Sequence, residues 1–120
     1  MAAVRYLVKD VPEAIRFYVD LLGFKLVRQY GPAMAILQRD QLELWVAGPT
    51  SSAAQPMPDG SHPSPGGWSR IVIVVEDLSG VVARLKGRGT RFRNDILQGP
   101  GGSQVLCEDP SGNPIELFEP

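Results

Sequence analysis

Two glutamates sit in near-identical apolar settings, Leu42-Glu43-Leu44 and Ile115-Glu116-Leu117, 73 residues apart. A carboxylate between apolar strand residues can hold a hard divalent cation, take a proton as a general base, or neutralise a nearby arginine. Arg5 and Arg70 lie on the apolar segments that open the same two halves of the chain. A guanidinium stays charged, so each can pair a carboxylate or clamp an anionic ligand. Trp45, Trp68 and Phe118 stand close in sequence to these charges, where an aromatic face can wall a cleft against a planar molecule. Glu43 and Glu116 are therefore the candidate catalytic residues, and Arg5, Trp45, Trp68, Arg70 and Phe118 the candidate ligand-binding set.

The elements that must position these residues occur twice. Val4 to Val8 predicts a strand, and Asp10-Val11-Pro12-Glu13 has the pattern of a capped helix start, with an acceptor side chain, a first-turn proline and a glutamate three residues on. The helix runs to about Leu22, where Gly23 supplies a left-handed stop. Phe24–Tyr30, Ala33–Arg39 and Gln41–Val46 follow as strands. In the second half Arg70–Val75 predicts a strand and Asp77 caps a helix whose Leu78, Val81, Val82 and Leu85 recur at helical spacing. Arg91–Gln98, Ser103–Cys107 and Pro114–Phe118 then complete the same order. The expected fold is α+β, a single domain over 1–120. It consists of two βαβββ modules, 1–46 and 68–120, forming a curled mixed sheet or half-barrel with the helices on its outer face. Between them, 47–67 carries five prolines and four glycines without apolar periodicity, which predicts a linker or lid.

Period-two alternation sorts the strand residues by face. Arg70, Val72, Val74, Glu116 and Phe118 fall on one face, and the uniformly apolar Ile71, Ile73, Val75, Ile115 and Leu117 on the other, which must lie under a helix. In the first module the count puts Ala3, Arg5, Leu7, Glu43 and Trp45 on the open face and Leu42, Leu44 and Val46 beneath the helix.

The remaining signals are bland. His62, the only histidine, lies in the proline-rich connector, where a lone imidazole is solvated. Cys107 has no basic neighbour to activate it and no partner for a disulfide. Gly99-Pro100-Gly101-Gly102 lacks the Lys-Ser/Thr of a phosphate loop and predicts a hairpin turn. Arg91 and Arg93 alternate along a predicted strand and mark a solvated or edge face, with a dimer contact as the alternative. Twelve basic residues against thirteen acidic ones give no field for nucleic acid or an anionic membrane surface. No apolar run approaches the roughly 20 residues that span a bilayer. The expected location is cytoplasmic.

In combination, Asp10-Val11, Phe17-Tyr18 and Leu22-Gly23-Phe24 in the first module, with Glu108-Asp109-Pro110-Ser111-Gly112-Asn113-Pro114-Ile115-Glu116-Leu117 in the second, resemble the vicinal oxygen chelate superfamily. This is the glyoxalase/bleomycin-resistance/dioxygenase group. The resemblance covers nearly the whole chain outside the connector. It implies a cleft between paired modules, commonly in a homodimer, and in many members a divalent metal acting as a Lewis acid. The metal's ligands come from the first strand and the last-strand glutamate of each module. Metal-using relatives carry a first-strand histidine seven residues before the capping aspartate; those positions here are Ala3 and Arg70. Only Glu43 and Glu116 keep donor atoms, so no cofactor is expected, with a weak divalent site at Glu43 and Glu116 as the alternative. Three functions stay open: metal-independent binding of a small aromatic or anionic molecule, a lyase- or dioxygenase-type enzyme, and a non-catalytic interaction module.

Overall fold

A computed structural model describes residues 1–120. The chain forms two compact units, Met1–Gly66 and Gly67–Pro120. The first contains β1 (Val4–Leu7), α1 (Val11–Arg16), β2 (Lys25–Tyr30), β3 (Met34–Arg39) and β4 (Leu42–Ala47). The second contains β5 (Ile71–Val74), α2 (Leu78–Gly87), β6 (Leu97–Gly99), β7 (Gly102–Glu108) and β8 (Pro114–Glu119). Strand order is β1-β4-β3-β2 in one sheet and β5-β8-β7-β6 in the other. In each, the first strand runs parallel to the last and the remaining pairs are antiparallel. Both units are thus the same βαβββ module, and neither sheet closes into a barrel.

Each helix begins where an aspartate can accept a free backbone amide. Asp10 Oδ1 accepts from Glu13 N at 2.9 Å, and Asp77 Oδ1 from Gly80 N at 3.2 Å. Helix α2 has a second anchor, because Glu119 at the end of β8 accepts the Leu78 amide at 3.1 Å. The first helix does not finish as a regular α-helix. Its last turn, Phe17–Leu21, is a π-type turn, and the Phe24 amide reaches back to the Tyr18 carbonyl at 3.0 Å through Gly23 at φ +72°. That closure places the buried Tyr18 ring edge-on to both Phe17 and Phe24.

Alternation along the strands separates a packed face from an open one. Leu44, Val46, Ala35 and Leu37 are buried with Tyr18 and Val11 in the first unit, and Ile73, Ile115, Leu117 and Val105 with Leu78 and Leu85 in the second. On the opposite face of the second sheet Val72 and Val74 remain 51% and 57% exposed. This helix-free face carries Arg5, Glu43 and Trp45 in the first module and Glu116 and Phe118 in the second.

Two expectations need correction, and a third feature has no counterpart in the expected strand pattern. The strand predicted over Arg91–Gln98 shrinks to Leu97–Gly99, because Asn94 Oδ1 takes the Leu106 amide at 2.9 Å in place of a backbone carbonyl. Arg93 is accordingly no solvated edge residue. It bonds Glu108 at 2.8 Å, the Gly67 carbonyl at 2.7 Å and the Gly112 carbonyl at 3.0 Å. Third, β2 contains an irregularity that simple alternation does not anticipate: Leu26 pairs Leu37 but Arg28 pairs Ile36, leaving Val27 as an extra residue in a bulge. β2 is also an edge strand, exposed along all six residues.

The connector is organised by short local bonds. A 3-10 turn spans Ser52–Ala54, buried Ser51 donates to the Gly48 carbonyl at 2.7 Å, and Asp59 accepts both the amide and hydroxyl of Ser61. Those bonds hold the Asp59 carboxyl below its ordinary range. The hairpin expected at Gly99–Gly102 is present between β6 and β7. A Cβ on Gly102, at φ +144°, would run into the Glu119 carbonyl, so only glycine fits there. No helix is long and apolar enough to cross a membrane.

Candidate functional site

In the second unit the open face is centred on Glu116, which β8 presents between Val72 of β5 and Leu106 of β7. Arg70, just before β5, donates to Glu116 Oε1 from Nε at 3.1 Å and from Nη2 at 3.0 Å, and its Nη1 lies 3.4 Å from the Trp68 carbonyl. The pair is partly sheltered, the Arg70 side chain being 30% and that of Glu116 11% exposed. Such a carboxylate needs a counter-charge, since burying it alone is costly. Phe118 lies on the same face two residues on, opposite Val74. Trp68 stays 70% exposed, with one side of its indole on the Arg93 guanidinium, 4.8 Å away.

In the first unit the equivalent glutamate, Glu43, has a different partner. Trp45 Nε1 donates to Glu43 Oε1 at 3.0 Å, and Arg5, paired with Trp45 across β1 and β4, stacks 5.2 Å from the indole centroid. In both modules, therefore, one carboxylate oxygen is occupied. The second oxygen, Oε2, takes no hydrogen bond in either.

The sequence pattern brought out Arg5, Glu43 and Trp45 together, and Arg70, Glu116 and Phe118 together, and each trio shares a module face. Three further residues of the first face were missed: Ile36, Arg28 and Tyr30. Arg28 pairs Ile36 and Tyr30 pairs Met34, and the Arg28 guanidinium lies 5.0 Å from the Tyr30 ring. The bulge at Val27 turns both onto the open face. The signal in the sequence is the adjacent apolar pair Leu26-Val27, which breaks strict alternation.

His62 is exposed in the connector. Cys107 is fully buried, and burial pushes its thiol up to about 12. Open hollows of about 520 Å³, lined by Gly23, Lys25, Gln38, Arg39 and Asp40, and about 410 Å³, beside Lys86, Thr90 and Phe92, lie at strand and helix ends. Neither contains a candidate glutamate.

Residues 1–117 match the model of the Glyoxalase/Bleomycin resistance protein/Dioxygenase superfamily, and the chain belongs to that family. The fold is similar to that of lactoylglutathione lyase from Agrobacterium tumefaciens, with TM-score 0.75, 18% identity, and 99% of this chain and 92% of that one covered. It is also similar to the fosfomycin resistance protein FosX from Listeria monocytogenes, with TM-score 0.76, 12% identity, and 100% and 92% covered. A family member from Sphaerobacter thermophilus gives TM-score 0.73 at 23% identity, with 100% and 98% covered. No curated protein matches significantly.

A divalent metal of the kind the family uses does not fit the donors present. Ala3 offers no donor atom and Arg70 offers a cation, which already bonds Glu116. No group of three or more His, Cys, Asp or Glu side chains is placed to hold a metal ion. The carboxylates of Glu43 and Glu116 alone fall short of the six or more oxygens a hard cation gathers.

Proposed function

We propose that this chain is a metal-independent binding protein that takes up a small aromatic or anionic molecule on its helix-free sheet faces and sequesters it. One observation carries the reading: the two glutamates at the family's ligand positions are already engaged, Glu116 by Arg70 and Glu43 by Trp45. In the module of Glu116, apolar and aromatic surface is left open at Val72, Val74 and Trp68. Arg70 supplies in the second module the positive charge that a metal supplies elsewhere. Arg5 and Trp45 line the helix-free face of the first, and Phe118 adds an apolar surface beside Glu116 in the second. The protein acts as a homodimer in the cytoplasm, a location that suits a lone, buried cysteine.

A second reading, enzyme catalysis, is favoured by the unbonded Oε2 of Glu43 and Glu116, each free to accept a proton while an arginine on the same face stabilises developing negative charge. Native purification followed by metal analysis and tryptophan quenching against aromatic compounds tests the proposal. Saturable quenching in metal-free protein supports it. A stoichiometric transition metal overturns it, and so does turnover of a panel compound that Glu116→Gln abolishes without changing affinity.

A further inference from the structure

The two modules differ in one respect that their common fold conceals. In the second unit Arg70, Arg91 and Arg93 are all paired with glutamates. In the first, Arg5 and Arg28 make no ion pair or hydrogen bond, and each guanidinium rests only on an aromatic ring, Trp45 or Tyr30. Strand register puts the two on one line across the sheet: Arg5 opposite Trp45, Trp45 opposite Ile36, and Ile36 opposite Arg28. A cation thus stands at each end of a floor made by an indole and an isoleucine, both half-buried. Across four strands the ends are about 14 Å apart at the backbone, from the usual spacing of about 4.8 Å.

We propose that this row binds a planar apolar molecule carrying an anionic group at each end, an aromatic dicarboxylate being the simplest form. The inference rests on the small-molecule reading above and names its ligand class and its module. A carboxylate matches the guanidinium fork, and stacking on Trp45 and Tyr30 restricts both arginines before the ligand arrives, which lowers the ordering cost of binding. The neighbouring rows carry other chemistry. On one side lie Glu43, Gln38 and Lys25, where the carboxylate repels an anion beside Trp45 while Lys25 adds a cation at the β2 edge; on the other, Leu7, Ala47 and Met34 offer no donor side chain and the row ends in Tyr30. Sheet positions facing the same way in the second module are Val74, Phe118, Gln104 and Leu97, with no free cation among them.

Calorimetric titration of the full chain with benzene-1,4-dicarboxylate, benzoate and the neutral dimethyl diester tests this. The dicarboxylate is expected to bind at least about ten-fold more tightly than benzoate and to lose affinity more steeply with salt. Arg5→Gln and Arg28→Gln should each bring the dicarboxylate down to the level of benzoate. Arg16→Gln, on the exposed side of α1, should leave the ratio unchanged. If benzoate and the diester bind as well as the dicarboxylate, or if the preference survives both substitutions, the inference fails while small-molecule binding stands. If none of the three binds, the aromatic-ligand reading fails with it.

Discussion

Arg70 meets Glu116 through a single carboxylate oxygen, so its removal strips two charged hydrogen bonds from a sheltered acid. Arg70→Met is expected to lower stability by about 1–2 kcal/mol, solvent screening of the partly exposed guanidinium keeping the loss below that of a fully buried pair. Glu116→Gln, which keeps an acceptor, should cost less. Urea midpoints of the two single variants and the double variant give the coupling directly. Cys107 makes a second residue-level prediction. Its thiol ordinarily ionises near 9.0 and burial raises this to about 12, so across that window the folded chain keeps a proton that the unfolded chain releases. Stability therefore falls as pH rises from about 9 to 12, and Cys107→Ser should flatten that dependence in denaturation curves. Native protein should also resist alkylation near pH 8 and react once unfolded.

Helix α2 is held at its start by Asp77 and by Glu119 of β8. Asp77→Ala should cost about 1 kcal/mol, the usual worth of such a cap, measured as a shift in thermal midpoint. The bulge in β2 gives a sharper test. Deleting Val27 removes the extra residue and leaves Arg28 opposite Ile36 and Tyr30 opposite Met34 in a regular ladder, so affinity for an anionic ligand should survive the deletion, whereas Arg28→Gln should lower it. Much at this scale was legible from sequence: both caps, the doubled element order, and the burial of Ile73, Ile115, Leu44 and Val46 follow from local acceptors and period-two alternation. What was not legible depends on partners distant in the chain. Asn94 replaces a backbone acceptor for Leu106 across 12 residues, and Arg93 is drawn to Glu108 and to two carbonyls no local pattern predicts. For the site, Arg5, Trp45, Glu43, Arg70 and Glu116 were readable as candidates, but their pairing was only partly so. Trp45 rather than Arg5 bonds Glu43, because a donor two residues along the same strand face is nearer than one on the next strand.

The two modules share topology yet place their arginines differently, on glutamates in the second and on aromatic rings in the first. Anything that binds only the folded state raises its thermal midpoint, by the equivalent of about 2.7 kcal/mol at a concentration of 100 Kd. Excess Mn²⁺, Ni²⁺ or Zn²⁺ should therefore leave the midpoint unchanged, while an aromatic diacid should raise it, as scanning calorimetry will show. Light scattering should find twice the chain mass, as expected of a homodimer. The strand that carries Arg28 has one more consequence, for behaviour at high concentration. An exposed outer strand invites a neighbour's backbone to continue its ladder, the first step toward fibrils. β2 interrupts its own ladder after Leu26 and bears Lys25 and Arg28 along it. An incoming strand would find neither a straight template nor a neutral one, and concentrated solutions of this protein should stay clear.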